Sequence, residues 1–264
     1  MSTVKVGIDE YEAFCVGVRR ICGIDLAQYK RPQMERRIRA FADQRGITIL
    51  KDYLGVLGTS KDELDAFLDR VTINVSQLWR NPEQWALLAR KVLPGYGARR
   101  RLRAWSAGSS YGAEAYTLAA VCAGALPGAR IEIVGTDIDR RMVERARAGA
   151  FSLDDARDVS PARRKRWFTE QDGKLHADPK LKACCRFETG DLLTMRPPPA
   201  AYDLVLCRNT VIYFTPEVRD ALHERIASTI VPGGYFMVGS TERIGDPVRL
   251  GLEIVYPFVY RKVS

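Results

Sequence analysis

The stretch Tyr202-Asp-Leu-Val-Leu-Cys-Arg-Asn-Thr-Val-Ile-Tyr-Phe214 decides how the chain is read. Its first six residues are apolar apart from Asp203 and in part β-branched, a pattern that predicts a buried strand. The run stops at Arg208-Asn209, two polar side chains placed where strand gives way to loop. In an open α/β sheet, ligands bind just beyond the carboxyl ends of the strands. Arg208 and Asn209 are therefore candidate site residues, and Tyr213 follows closely enough to look back over the same crevice.

Strand-like and helix-like runs alternate on both sides of this stretch. A short strand at 101–105 runs into Ser106-Ala-Gly-Ser-Ser-Tyr-Gly112, a helix follows, and Ala129-Arg-Ile-Glu-Ile-Val-Gly-Thr-Asp137 is a strand ending in an acid. Helices at 140–148 and 216–230, a turn and strand at 232–238, and paired strands within 252–262 continue the pattern. Such alternation predicts an α/β fold, a mostly parallel Rossmann-like sheet with helices on both faces. Between 163 and 192 the alternation is interrupted. Arg166-Trp-Phe-Thr-Glu, the Asp172-Gly173 turn, Lys174-Leu-His-Ala and Arg186-Phe-Glu-Thr read as an inserted antiparallel β-subdomain, about 163–190, since Asp-Gly between alternating runs signals a hairpin.

From 9 to about 90 the pattern is helical. Tyr11, Phe14, Cys15, Val18, Ile21 and Cys22 form one apolar stripe. A second helix is expected at 32–44, with Pro at its first turn, Gly46 just past its end and Met34, Ile38 and Phe41 inside. A third, around 61–72, carries Leu64, Phe67, Leu68 and Val71. The expected organisation is a helical domain at 1–80, a linker helix at 81–98 and a sheet domain at 99–264.

Composition limits the function classes. A chain of 264 residues, 46% hydrophobic and 28% charged, suits a soluble globular protein. No apolar run approaches the roughly 18 residues of a membrane span, and residues 1–10 hold Asp9 and Glu10 with no apolar core, unlike a signal peptide. The six cysteines lack metal-ligand spacing and only His176 and His223 are present, so no metal is expected. Reduced thiols in a cytosol are the default expectation. The formal net charge of +9, with basic residues clustered at 30–45, 90–103, 140–147 and 157–166, calls for an acidic partner. Charge alone leaves nucleic acid and a Glu-rich protein surface equally open.

The turn after the first strand has Gly108 and Gly112, which let a ligand approach the backbone closely. Their spacing is not the G-x-G-x-x-G dinucleotide fingerprint. Asp137, at the end of the next strand, sits where a carboxylate accepts both ribose hydroxyls, and Asp191 sits where a third strand ends and can reach an adenine edge. A nucleoside without a pyrophosphate fits these parts, which points to S-adenosylmethionine.

Four motifs now carry a resemblance. Trp105-Ser-Ala-Gly-Ser-Ser-Tyr-Gly-Ala-Glu-Ala-Tyr116 is similar to the WSAGCSTGEEPYS segment of CheR-type chemotaxis receptor methyltransferases. Thr136-Asp-Ile-Asp139 resembles that family's SDID, Cys207-Arg-Asn-Thr-Val-Ile-Tyr-Phe214 its CRNxxIYF, and Thr72-Ile-Asn-Val-Ser-Gln-Leu-Trp-Arg80 its TTNxTxFFR. The resemblance covers nearly the whole chain. It implies methyl transfer from S-adenosylmethionine to glutamate side chains on chemoreceptor signalling helices, giving glutamyl methyl esters and S-adenosylhomocysteine. By position, Asn74, Ser76 and Arg80 are expected to line the cofactor from the interdomain segment. Gly108 and Glu114 would contact its methionine part and Asp137 its ribose; Asp191 and Leu192 would flank adenine, and Arg208 and Asn209 would close the site. Arg80 and Tyr213 would face the transferring methyl, as the catalytic pair. Arg36, Arg37 and Arg39 resemble the receptor-contacting helix. The implied partner is the cytoplasmic helical domain of a chemoreceptor, with no nucleic acid, no membrane insertion and a monomeric, cytoplasmic enzyme.

The chain departs from the family pattern at several positions. Ala113 and Ala115 replace Glu and Pro, Tyr111 stands for a small Thr, Ile73 replaces Thr, Leu78-Trp79 replaces Phe-Phe, and Asp191 stands where Asn is frequent. Ser240-Thr-Glu-Arg243 departs from the usual SEN. Two rival classes are a nucleic-acid methyltransferase and a non-catalytic cofactor sensor. The first usually holds its base with a (D/N)PP(Y/F) turn, where this chain has Arg208-Asn209-Thr210; the second is motivated by the altered turn at 111–115. In the family the β-subdomain docks a receptor-tail pentapeptide by strand addition. Because the Gln171-Asp-Gly-Lys174 turn is tight, this protein is expected not to depend on that tether. Isothermal titration with the pentapeptide checks this, and micromolar binding would overturn it.

Overall fold

The computed structural model describes residues 9–72, 74–97 and 101–263. Residues 1–8, Ile73 of the Thr72–Arg80 motif, and Ala98, Arg99 and Arg100 at the expected domain start lie outside the described residues. The chain forms two compact units, one holding the described residues up to Asn74 with Tyr213–Val218, the other holding Val75–Ile212 and the rest from Arg219.

The first unit is built from α1 (Glu10–Cys22), α2 (Arg31–Asp43), α3 (Leu50–Thr59) and α4 (Lys61–Thr72). Asp9 caps α1 by accepting the Tyr11 N–H, and the stripe of Tyr11, Phe14, Cys15 and Val18 is buried. Ile21 and Cys22, at the end of that stripe, are only half-buried. In α2 the buried positions are Met34, Ile38 and Ala42, with Phe41 half-buried under the Arg45 guanidinium. Helix α3 is an element that the three expected helices did not include; it buries Leu50, Tyr53 and Leu57. Rings from three helices meet at the centre. Phe14 stacks on Tyr53 at 6.2 Å, and Phe67 stands edge-on to both, at 6.0 and 6.1 Å. The Tyr213–Val218 segment joins this unit through the Lys30 N–H, which donates to the Tyr213 carbonyl at 2.9 Å, and the Thr215 N–H, which donates to Gln28 at 3.0 Å.

The second unit is organised by a seven-stranded sheet. In chain order its strands are β1 (Arg101–Ala107), β2 (Arg130–Asp137), β6 (Cys185–Thr189), β7 (Tyr202–Cys207), β8 (Ile230–Val238), β9 (Leu252–Tyr256) and β10 (Val259–Lys262). They lie in the spatial order β6-β2-β1-β7-β8-β10-β9. The first five are parallel, and the β9–β10 hairpin closes one edge antiparallel. Strand β8 begins at Ile230, before the Pro-Gly-Gly turn expected there, and the irregular register beside Tyr202 absorbs that turn.

Before β1 the chain runs through α5 (Pro82–Leu87). After it comes α6 (Ala113–Ala125), which is buried over most of its circumference because Ala113, Ala115, Ala119 and Ala120 leave no bulk to hold it off the sheet. Helix α7 (Arg140–Ala148) is capped by Asp139. Strand β3 (Ala150–Ser152), α8 (Pro161–Trp167), β4 (Phe168–Gln171), β5 (Lys174–Ala177) and α9 (Pro179–Cys184) precede β6, and α10 (Pro216–Ser228) leads to β8.

The antiparallel subdomain exists, with Asp172 and Gly173 both at positive φ in its hairpin turn. Its third strand is β3 rather than Arg186-Phe-Glu-Thr, which is a correction. Those residues belong to β6 and pair parallel with β2, Phe187 opposite Gly135. Gly135 makes room for the ring, since a Cβ there would sit 2.6 Å from Phe187. A five-residue alternating run reads alike as an antiparallel strand and as a parallel edge strand, and only the partner separates the two.

Replacing Phe67, which is fully buried between Phe14 and Tyr53, by Ala is expected to destabilise the helical unit by about 3–5 kcal/mol. Urea unfolding followed by circular dichroism checks this, and a loss under about 1 kcal/mol would show that the ring cluster does not hold the unit together.

Candidate functional site

Three strand ends and the turn after β1 build one concave corner of the sheet unit. The chain leaves β1 through Gly108 (φ 78°), Ser110 (φ 47°) and Gly112 (φ 86°). Gly108 is required twice over, by its left-handed backbone and because a Cβ would lie 2.5 Å from the Thr210 hydroxyl. The N–H groups of Gly108 and Ser109 both donate to the Thr136 carbonyl at 2.9 Å, which fixes the turn to the end of β2.

Asp137 ends β2 and is buried. Its Oδ2 accepts the Ser110 N–H at 2.7 Å and its Oδ1 the Asp139 N–H at 3.0 Å. Burial pushes its carboxyl up to about 6, against these backbone N–H groups. Past the end of β6, Asp191 accepts the Leu193 N–H at 2.8 Å and the Thr194 hydroxyl at 3.3 Å, so it also closes its own turn. Leu192 is buried beside it and its carbonyl accepts from Arg225 at 2.5 Å.

Arg208 does not project freely from the end of β7. Its side chain is 2% exposed and is ringed by acceptors. Nε donates to Gln84 Oε1 at 2.9 Å, Nη1 to Glu114 Oε2 at 3.2 Å, and Nη2 to Gln84 Oε1 at 2.6 Å and the Arg80 carbonyl at 2.9 Å. Glu114, at the start of α6, also accepts the Ser106 hydroxyl at 2.8 Å. Burial raises its carboxyl pKa, opposed by the Arg208 charge and the Ser106 hydrogen bond. Asn209 takes a positive φ, and its N–H donates to Glu242 at 2.7 Å. Glu242 also accepts the N–H groups of Val211 and Gly239, at 3.2 and 2.7 Å.

Gln84 and Glu242 are the residues that sequence reasoning missed. Nothing local marks Gln84; Glu242 lies in the Ser240–Arg243 segment, whose sequence shows only a departure from the family's SEN. The Tyr111 side chain, where the family has a small Thr, places its hydroxyl between the Ser76 carbonyl and Asp155 Oδ1, the latter at 2.8 Å. Leu78 N–H donates to the Asp155 carbonyl at 2.8 Å, so Tyr111 and Asp155 together hold the segment carrying Ser76.

Arg80 stands between two left-handed residues, Trp79 (φ 55°) and Asn81 (φ 57°). Its Nη1 donates to the Val75 carbonyl at 3.0 Å, and among the described residues no carboxylate lies within ion-pair distance of it. Asn74 belongs to the helical unit, where its amide donates to the Thr72 hydroxyl at 2.8 Å. Tyr213 is in the same unit, with the Arg37 guanidinium 5.8 Å above its ring. The expected basic face of α2 is uneven: Arg36 is exposed and Arg37 is half-buried. Arg39 is held by Glu35 and Glu10 at 2.9 and 3.1 Å. His223 is buried against Phe236 and pushed down to about 4 by burial, far from an imidazole base near neutrality. Among the described residues no helix is long and apolar enough to cross a membrane.

A parallel sheet with a glycine turn after its first strand and a buried acid ending its second is the kind of corner in which open α/β sheets hold nucleoside-bearing ligands, and it defines a nucleoside-binding α/β class. Residues 74–251 match the CheR methyltransferase SAM-binding domain and residues 9–72 the CheR methyltransferase all-alpha domain, so the chain belongs to the CheR methyltransferase family. It is 33% identical over 255 residues to a chemotaxis protein methyltransferase of Listeria monocytogenes, covering 96% of this chain and 97% of that one. It is 30% identical to chemotaxis protein methyltransferase 1 of Vibrio cholerae, covering 92% of each chain. The Pseudomonas aeruginosa protein of the same name is also 30% identical, over 90% of this chain and 91% of that one. The cofactor is S-adenosylmethionine and the activity is methyl transfer in chemotaxis.

The ribose hydroxyls donate hydrogen bonds, so Asp137 must be ionised to accept both. With its carboxyl at about 6, affinity for S-adenosylhomocysteine is expected to fall as pH drops through that value, about tenfold one unit below it. Titration calorimetry from pH 8 to 5 checks this; a flat profile for the native protein, matching that of Asp137→Asn, would remove Asp137 from the ribose.

Proposed function

We propose that this chain methylates glutamate side chains on the cytoplasmic helical domain of a chemoreceptor, forming glutamyl methyl esters. The observation that carries the acceptor class is Arg80, an ion-unpaired guanidinium among the described residues, on a turn fixed by left-handed residues on both sides and tied to the buried Glu114–Arg208 pair. A planar guanidinium receives a carboxylate through paired donors.

In this reading Gly108 and Glu114 hold the methionine part of the cofactor, Asp137 the ribose, and Asp191 and Leu192 the adenine. Ser76 and Arg80 line the cofactor from the connecting segment, and Arg208 and Asn209 close the site at the end of β7. The roles of Asn74 and Tyr213, and of Arg36, Arg37 and Arg39 in meeting the receptor, rest on the family resemblance alone. The fit of the corner is supported by the left-handed glycine turn at Gly108 and Gly112 and by the buried Asp137, each of whose carboxylate oxygens accepts one backbone N–H and keeps a lone pair.

Bound S-adenosylmethionine supplies an activated methyl group next to a sulfonium. The protein has little covalent work left. A glutamate is ionised well above its reference pKa of about 4.3, so no general base is needed. Arg80 orients the acceptor carboxylate in line, and positioning of this kind supplies most of the acceleration. Since the acceptor loses its negative charge along the reaction, Arg80 steers and must not bind the anion too tightly. The proposed setting is the cytoplasm, with a monomeric enzyme and no nucleic acid partner.

The test is transfer of labelled methyl from S-adenosylmethionine to cytoplasmic fragments of the source organism's chemoreceptors, with the label released as methanol by alkali. Arg80→Ala is expected to lower kcat about 100-fold with a smaller loss of S-adenosylhomocysteine affinity. Cofactor binding without label on any receptor fragment would sink the glutamate reading.

A further inference from the structure

We propose that Arg208 is a positioning residue that joins the two ends of the site: its charge balances buried Glu114 on the cofactor side, and its fork of donors fixes the Arg80 peptide on the acceptor side. The proposal rests on the glutamate-methylating reading for the role of Arg80, and goes beyond it in giving the Arg208 side chain a positioning task at both Glu114 and the Arg80 peptide.

Donor counting supports this. A guanidinium carries five N–H groups. In Arg208, Nε is taken by Gln84, one Nη1 hydrogen faces Glu114, and Nη2 serves Gln84 and the Arg80 carbonyl, with Asn81 Oδ1 at 3.3 Å as a further acceptor. At most one hydrogen, on Nη1, is left for a ligand. Arg80 is the opposite case, with one hydrogen bond, to Val75, from its own side chain.

The Arg80 carbonyl receives a second bond, from Trp85 Nε1 at 2.9 Å, and the Arg208 guanidinium lies 5.0 Å from the centre of that same indole. The two donors occupy both lone pairs of one carbonyl and so set the plane of the Arg80–Asn81 peptide. This matters because left-handed backbone at Trp79 and Asn81 is strained for residues with side chains and persists only where its surroundings over-determine it. The Trp79 N–H, donating to the Thr117 hydroxyl at 3.0 Å, anchors the other side of the turn.

On the cofactor side, among the described residues, Glu114 has two hydrogen-bond partners, Ser106 and Arg208, and of these Arg208 carries the compensating charge. Without Arg208 the buried carboxyl keeps only the more distant Arg80 charge, and burial then favours its protonated form. A neutral Glu114 no longer attracts the ammonium of the methionine part.

Two variants separate charge from geometry. Arg208→Lys keeps the charge and loses the planar fork; Arg208→Gln loses both. At neutral pH Arg208→Gln is expected to bind S-adenosylhomocysteine about tenfold or more weakly, with affinity recovering as the pH is raised and Glu114 ionises. Arg208→Lys is expected to bind it within about threefold of the native protein, to exchange amide hydrogens about tenfold faster across residues 76–84, and to lose about 30-fold in kcat at unchanged KM for S-adenosylmethionine. Two outcomes overturn the proposal: both variants losing cofactor affinity equally and without pH dependence, or Arg208→Lys showing native exchange and native kcat. Thermal melting reports whether each variant folds, and if Arg208→Gln does not, Arg208→Lys alone decides. A native protein that methylates no receptor fragment defeats the receptor reading separately, because the titration and exchange results need no acceptor.

Discussion

The buried contact between Arg208 and Glu114 is the constraint on which the corner of the sheet depends. A guanidinium and a carboxylate out of water each carry a desolvation penalty, and removing one partner of such a pair typically costs 3–5 kcal/mol because the other is stranded. The arrangement is tolerable because the remaining donors of Arg208 meet neutral acceptors from Gln84 and the Arg80 peptide, and Glu114 has the Ser106 hydroxyl. Four pieces of chain, the end of β7, the start of α6, helix α5 and the Arg80 turn, are thereby registered by one side chain. Lysine would supply the charge without the planar fork.

A second regularity lies in the sign of the buried charges. The chain as a whole carries +9. Yet at the carboxyl ends of the strands the buried ionisable groups are Glu114, Asp137, Asp139 and Glu242 against the single guanidinium of Arg208. That interior suits a ligand bearing positive sulfonium and ammonium centres, while the basic exterior suits an acidic partner. The net charge is therefore a statement about association, and the site obeys a different local balance.

Much of the site was legible because its signals are local. Gly108 and Gly112 mark a turn that needs positive φ, and Asp137 ends an apolar run; each reading needs a window of fewer than about ten residues. The strand at Tyr202–Cys207 and the helices Arg140–Ala148 and Lys61–Thr72 fall where periodicity placed them. What failed was pairing. Cys185–Thr189 alternates well enough to be an antiparallel strand, and only the room at Gly135 for Phe187 makes it the parallel edge. Tyr111 looked like bulk in a tight turn, and it is a strut whose hydroxyl meets Ser76 and Asp155.

Sequence alone determined the strand–helix alternation of the sheet unit, the glycine turn, the strand-end carboxylate and the family, because these follow from periodicity, φ preference and motifs read along the chain. Tertiary structure alone decided what Arg208 does. Its partner Gln84 is 124 residues away in sequence, and Glu114 is 94 away. No local pattern states that a residue at a strand end will turn inward to satisfy buried acceptors; that choice is made by the cost of leaving them unpaired once the core has closed around them.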